Sequence, residues 1–272
     1  MIKDKFKDLP ARALSAVIVM PLVLLAVWAG GIYYNVLIGT ACVLGMYEWL
    51  RLHERSPSIL CDFFSYGTLV LIWWLSSYGL YGFACLTITA ITGVAYNFYN
   101  RVKLDNVEWL ALGIPYLGTP MVALMAVGND PMSREHYLIF FLLAVVWATD
   151  IGAYLFGRVI GGPKLAPVIS PSKTWSGALG ATLFGTLVGL IFARYFWQHS
   201  YTEVIILGVL LTIFTQLGDM FESYVKRITG TKDSGRILPG HGGILDRIDG
   251  LLFAAVMIGG WQFAAPAWLQ IG

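Results

Sequence analysis

Residues 137–158 read "YLIFFLLAVVWATDIGAYLFGR", a run of apolar and aromatic side chains interrupted by one acid, Asp150. As a helix rising about 1.5 Å per residue, it is long enough to cross a hydrocarbon core of about 30 Å. The run has company on both sides. Comparable segments lie at about 11–30, 33–50, 63–79, 81–99, 107–127, 176–197, 203–222 and 250–268, making nine with 137–157 the sixth. Charged residues are 12% of the chain, against about 25% in a soluble domain. The expected fold is all-α, a polytopic integral membrane protein of about nine transmembrane helices. A water-soluble globular domain is excluded.

The first segment follows a basic start, "MIKDKFK", which a signal peptide would also show. No well-placed small-residue cleavage site follows, and the apolar run is long, so an uncleaved first span is expected. Cys42, Cys61 and Cys85 are odd in number and lack metal-ligand spacing, which argues against a disulfide framework.

Placing alternate loops on one side gathers 16 of the 18 cations there: Lys3, Lys5, Lys7, Arg12, Arg51, Arg55, Arg101, Lys103, Arg158, Lys164, Lys173, Lys226, Arg227, Lys232, Arg236 and Arg247. Only Arg134 and Arg194 fall opposite. Basic loops stay cytoplasmic, so the N-terminus is expected inside and the C-terminus outside. Loops 158–175 and 223–249 then both face the cytoplasm, and each is too short to bury a core of its own. Residues 1–136 form about five spans with no assigned chemistry, and 137–272 carry the two polar loops.

Those loops hold the chemistry. On a helix, Asp219, Glu222, Ser223 and Lys226 stand at i, i+3, i+4 and i+7 and share a face. An interfacial salt-bridge cluster of Asp219 and Glu222 with Lys226 and Arg227 is one reading of them. The next stretch, "TGTKDSGRILPGHGGILDRIDG" (229–250), brings Lys232, Arg236 and His241 among Gly230, Gly235, Gly240, Gly242 and Gly243, then Asp246, Arg247 and Asp249. Glycines allow close backbone approach around an anion, and Lys and Arg supply charge for phosphate oxygens. A turn-rich linker would have no need of that acidic ending. Carboxylates beside such cations suit a hard divalent ion such as Mg²⁺, whose other ligands are waters and substrate phosphates, and hence phosphoryl or nucleotidyl transfer. No GxxxxGK[ST] or strand-linked GxGxxG pattern is present. Asp150, ionisable within a span, is a functional candidate. In 158–175, Lys164, Ser170, Ser172, Lys173 and Thr174 could meet another phosphate or simply cap the next helix.

With Ser223, Lys226-Arg227, Lys232-Asp233-Ser234-Gly235 and His241-Gly242-Gly243 through Asp246-Arg247 and Asp249 in place, the chain closely resembles the bacterial phosphatidate cytidylyltransferase family. Gly218-Asp219, Glu222 and the Ser170-Pro171-x-Lys173-Thr174 segment also resemble it; Ser176 departs, standing where an acid or amide is expected. The motifs cover about 144–182 and 216–252. The resemblance implies transfer of a cytidylyl group from CTP to phosphatidic acid, a Mg²⁺-dependent enzyme of the bacterial inner membrane with its C-terminus in the periplasm and K⁺ as a second ion, and a homodimer without nucleic acid partners. It implies Asp219 and Asp246 as catalytic metal ligands, joined by Asp249, with Ser223 and Lys226 also catalytic. On charge and position, Lys173, Lys226, Arg227, Lys232 and Arg247 are expected at phosphates, and His241 orients the loop or bonds a phosphate. Two rivals fit less well. A CDP-alcohol phosphatidyltransferase would share the DxxDG of "DRIDG", but its later Ala-Arg and acidic pair are missing. An ion-coupled transporter would show inverted repeats or paired broken helices, and neither is found.

Overall fold

In the computed structural model, residues 9–53, 59–129, 137–196, 200–235, 237 and 242–264 are described, with side chains from Val19 onward. Every apolar segment read from the sequence is a helix there. The order is α1 (Leu9–Ala29), α2 (Gly31–His53), α3 (Ile59–Ser77), α4 (Tyr81–Arg101), α5 (Val107–Gly128), α6 (Tyr137–Val159), a two-strand hairpin β1 (Lys164–Ala166) and β2 (Ser170–Thr174), then α7 (Trp175–Phe196), α8 (Tyr201–Ile228) and α9 (Leu245–Ala264). Among the described residues, α3, α5, α6, α7 and α8 are long and apolar enough to cross a membrane. The described side chains of α1 give only the shorter apolar stretch Val19–Ala29. Helix α2 carries Glu48, Arg51 and His53, α4 is rich in Thr and Asn, and α9 opens on Asp246, Arg247 and Asp249, which lowers their hydropathy.

The chain divides into two compact units, residues 1–129 with 229–248, and residues 130–228 with 249–272. In the first, α5 packs against α2, α3 and α4 and is buried along almost its whole length. That burial explains how it carries Pro115 and Pro120 in its interior. The backbone groups a proline frees are tolerated where neighbouring helices shield them from lipid. Buried polar tips find main-chain partners: Tyr34 Oη donates to the Leu124 carbonyl at 2.9 Å, and Trp49 Nε1 to that of Trp109 at 2.8 Å. In the second unit α6 packs on α7 and α8, and α7 on α8. The α6–α7 seam is built on small residues. A Cβ at Gly180 would enter the ring of Phe156, and one at Gly152 would press on the Gly180 carbonyl at 2.9 Å. Close backbone approach of this kind replaces the hydrophobic effect as the cohesive term between helices in lipid.

Two boundaries depart from the sequence reading. Helix α8 continues past residue 222 to Ile228, and α9 starts at Leu245, so several polar residues assigned to the loop are helical. In 158–175 the chain forms the antiparallel hairpin, with Lys164 opposite Thr174 and Ala166 opposite Ser170.

Candidate active site

Extension of α8 puts Asp219, Glu222, Ser223 and Lys226 on one continuous helix, where the four-residue spacing brings Lys226 Nζ to 2.7 Å from Glu222 Oε2. Glu222 is only 1% exposed, so this cation neutralises an acid that would otherwise be costly to bury. Asp219 has a different partner from the one the salt-bridge reading supplied. Its Oδ2 lies 2.8 Å from Lys173 Nζ on β2, and its Oδ1 accepts a long bond, 3.5 Å, from Ser223 Oγ. Arg227 does not join the carboxylates through its Nε, which donates to the Ile169 carbonyl at 3.1 Å. Two cationic contacts thus hold the hairpin against the end of α8.

The hairpin itself is tied to α7 by a cap. Thr174, the residue before α7, accepts the Gly177 N–H at 3.1 Å on its Oγ1, the bond expected of an N-cap threonine. Ser176 Oγ shares a 3.0 Å bond with that hydroxyl and donates to the Gly161 carbonyl. The capping alternative therefore holds for Thr174, while Lys173 beside it faces Asp219. Lys164 and Ser172 are exposed, Ser170 is buried, and Asp150 is exposed on α6.

In the same unit Asp249 reaches α8. Its carboxyl bonds to Glu222 and stands within electrostatic reach of Asp219. The approach depends on Gly218, where any Cβ would collide with the Asp249 carbonyl.

Asp246 belongs to the first unit. Its Oδ2 accepts the Gly243 N–H at 2.8 Å, and its two oxygens share the Ser234 N–H at 3.2 and 3.1 Å. The loop's Ser234 and Gly243 N–H groups are thus engaged by the chain's own carboxylate. Gly242 makes the turn with φ of +84°, a conformation that favours glycine. Lys232 and Arg247 are exposed; His241 and Arg236 lie outside the described residues. Sequence reasoning missed Glu48 of α2, which accepts the Leu245 N–H at 2.9 Å and a bond from Ser234 Oγ at 3.2 Å. The available signal was an acid inside an apolar segment, the criterion that singled out Asp150.

Among the described residues no three His, Cys, Asp or Glu side chains form a metal cage. Mg²⁺ does not need one, since it is commonly held by one or two carboxylates plus substrate phosphates and waters. Asp219, whose side chain is 43% exposed, and Asp246, with its orientation set by main-chain N–H groups, are oxygen donors of that kind.

The family model for the cytidylyltransferase family matches residues 10–260, a stretch that includes both polar loops. A phosphatidate cytidylyltransferase of Brucella suis biovar 1 is 39% identical over 256 residues, covering 92% of each chain. That of Staphylococcus haemolyticus is 31% identical over 255 residues, covering 91% of this chain and 96% of its own. A Staphylococcus aureus phosphatidate cytidylyltransferase is 42% identical over 161 residues, 58% of this chain and 60% of its own. With a family match running from α1 into α9 and two of these relatives aligned over more than nine-tenths of their length, the chain belongs to the cytidylyltransferase family.

Proposed function

We infer that the chain is a phosphatidate cytidylyltransferase, a membrane nucleotidyltransferase that makes CDP-diacylglycerol and pyrophosphate from CTP and phosphatidic acid in phospholipid biosynthesis. The observation that carries the reading is the α8 face with its hairpin. Asp219, Ser223 and Arg227 lie along the C-terminal turns of α8, with Lys173 of the hairpin against Asp219, inside a family match that continues to residue 260.

The reaction joins two anions. A phosphate-monoester oxygen of phosphatidate attacks the α-phosphorus of CTP, the bond from that phosphorus to the bridging oxygen breaks, and pyrophosphate leaves with the electron pair. The second pKa of a phosphate monoester is about 6, so the nucleophile is largely ionised near neutral pH and needs no strong base. His241 then serves to orient the loop or bond a phosphate. Catalysis comes from positioning and charge neutralisation. We assign phosphate contacts to Lys173, Arg227, Lys232 and Arg247, and a place beside the reacting groups to Ser223 and Lys226. For Lys173, the substrate phosphate takes over the cation that Asp219 engages at rest.

Asp219 and Asp246 are the proposed Mg²⁺ ligands, with Asp249 a further carboxylate, and K⁺ is proposed as a second ion. When bound, Mg²⁺ would neutralise triphosphate oxygens and favour departure of pyrophosphate. We further propose that all nine helices span the inner membrane, that the catalytic loops 158–175 and 223–249 face the cytoplasm where CTP is, and that the enzyme is a homodimer.

Label placed at the α-phosphate of CTP should enter the lipid phase, while label at the γ-phosphate should leave in pyrophosphate. A lipid kinase would give the reverse, and a transporter would label no lipid. Appearance of γ-label in lipid, or α-transfer undiminished by a chelator, would overturn the assignment.

A further inference from the structure

The N-terminal half, to which the sequence assigns no chemistry, sends one buried acid into the polar loop. Glu48 of α2 is 1% exposed, and its Oε2 accepts both the Leu245 N–H and a bond from Ser234 Oγ, 2.9 and 3.2 Å away. Ser234 Oγ in turn accepts the Asp246 N–H at 3.3 Å, while the Ser234 N–H donates to the Asp246 carboxylate. The first N–H groups of a helix have no partner within it. At the start of α9 they are taken up by Glu48 and Ser234, and the Asp246 side chain reaches back to Gly243 in the manner of a capping box.

Two motif glycines are shaped around the same acid. A Cβ at Gly235 would overlap Glu48 Oε1, and one at Gly243 would overlap Ser234 Oγ and lie against Glu48 Oε2. Neither has the positive φ that marks Gly242, so close approach to Glu48 accounts for both. An acid this deeply buried is a poor choice for helix capping alone, which an uncharged serine or asparagine would serve without the desolvation cost.

We propose that Glu48 is a positioning residue for cytidylyl transfer. It fixes Ser234 and the first turn of α9, and through them the direction in which the Asp246 carboxylate is presented. The inference rests on Asp246 serving the reaction.

The test uses the full chain in detergent micelles with CTP, phosphatidic acid and Mg²⁺, kcat being normalised to folded enzyme. Misplacement of a reacting group by about 1 Å can cost on the order of 100-fold, so Glu48→Ala should lower kcat at least 10-fold while KM for phosphatidate stays within about twofold. Glu48→Gln keeps an acceptor oxygen for both bonds and should return to within about threefold of the parent kcat. Ser234→Ala should lose activity to a similar degree, and the Glu48→Ala/Ser234→Ala double variant should be no worse than the poorer single one, as for residues in one network. If Glu48→Ala does not accumulate folded, Glu48→Gln and Ser234→Ala carry the test alone. A normal kcat in Glu48→Ala or Ser234→Ala, failure of Gln to rescue, or losses that multiply in the double variant would overturn the proposal. Asp246→Asn separates the two readings. Full activity in that variant would remove the role of Asp246, whereas its inactivity beside a normal Glu48→Ala would remove only the role of Glu48.

Discussion

At the scale of single residues, the carboxylates of the two units have different surroundings and call for different expectations. Asp219 sits half-open in the C-terminal part of α8 with Lys173 2.8 Å away. Partly exposed ion pairs contribute about 0–1 kcal/mol, so Asp219→Asn should change thermal stability little. Removing a charge aimed at a metal or phosphate should cost on the order of 100-fold in turnover. Asp246→Asn should lose activity comparably and also some stability, because its oxygens receive the N–H groups of Ser234 and Gly243. The measurement is turnover over a Mg²⁺ titration, set beside thermal unfolding in detergent. Near-normal rates in both variants would leave Asp219 and Asp246 with structural roles only. The sequence pattern identified these acids as a group. It could not pair them, since Lys173 and Asp219 are 46 residues apart in the chain and no local spacing rule joins them.

At the scale of elements, the α6–α7 seam is tightly constrained by its glycines. Overpacking a tight site costs about 1–3 kcal/mol, so Gly180→Ala, whose new methyl would enter the Phe156 ring, should lower the unfolding temperature measurably. Gly93→Ala on α4, where a Cβ would meet nothing within 4 Å, should be neutral or slightly stabilising. Equal shifts for the two variants would show that glycine packing does not set the seam. Helix identity was legible throughout, because apolar length is a local property of the chain. The hairpin was not. Its strands are three and five residues long, too short for a periodic signal, and what steadies it is the Thr174 cap on α7 and the contacts with α8.

For the whole molecule, the charge asymmetry of 16 cations against two calls for a topology experiment. A reporter fused after Gly272 should be periplasmic, and one inserted after Lys232 cytoplasmic; finding both on one side would sink the nine-span arrangement. The sequence by itself determined the helical architecture and the family, along with the motif residues of both polar loops. Each of these follows from apolar length, charge or an ordered pattern, all readable along a short stretch of chain. Only the tertiary structure decided which partner each charge takes. Lys173 bonds Asp219, Asp249 meets Glu222 across the gap that Gly218 leaves, and Glu48 caps a helix that begins 197 residues later. The physical reason is that a buried acid must find its donors wherever packing delivers them, and packing is a property of the assembled helices.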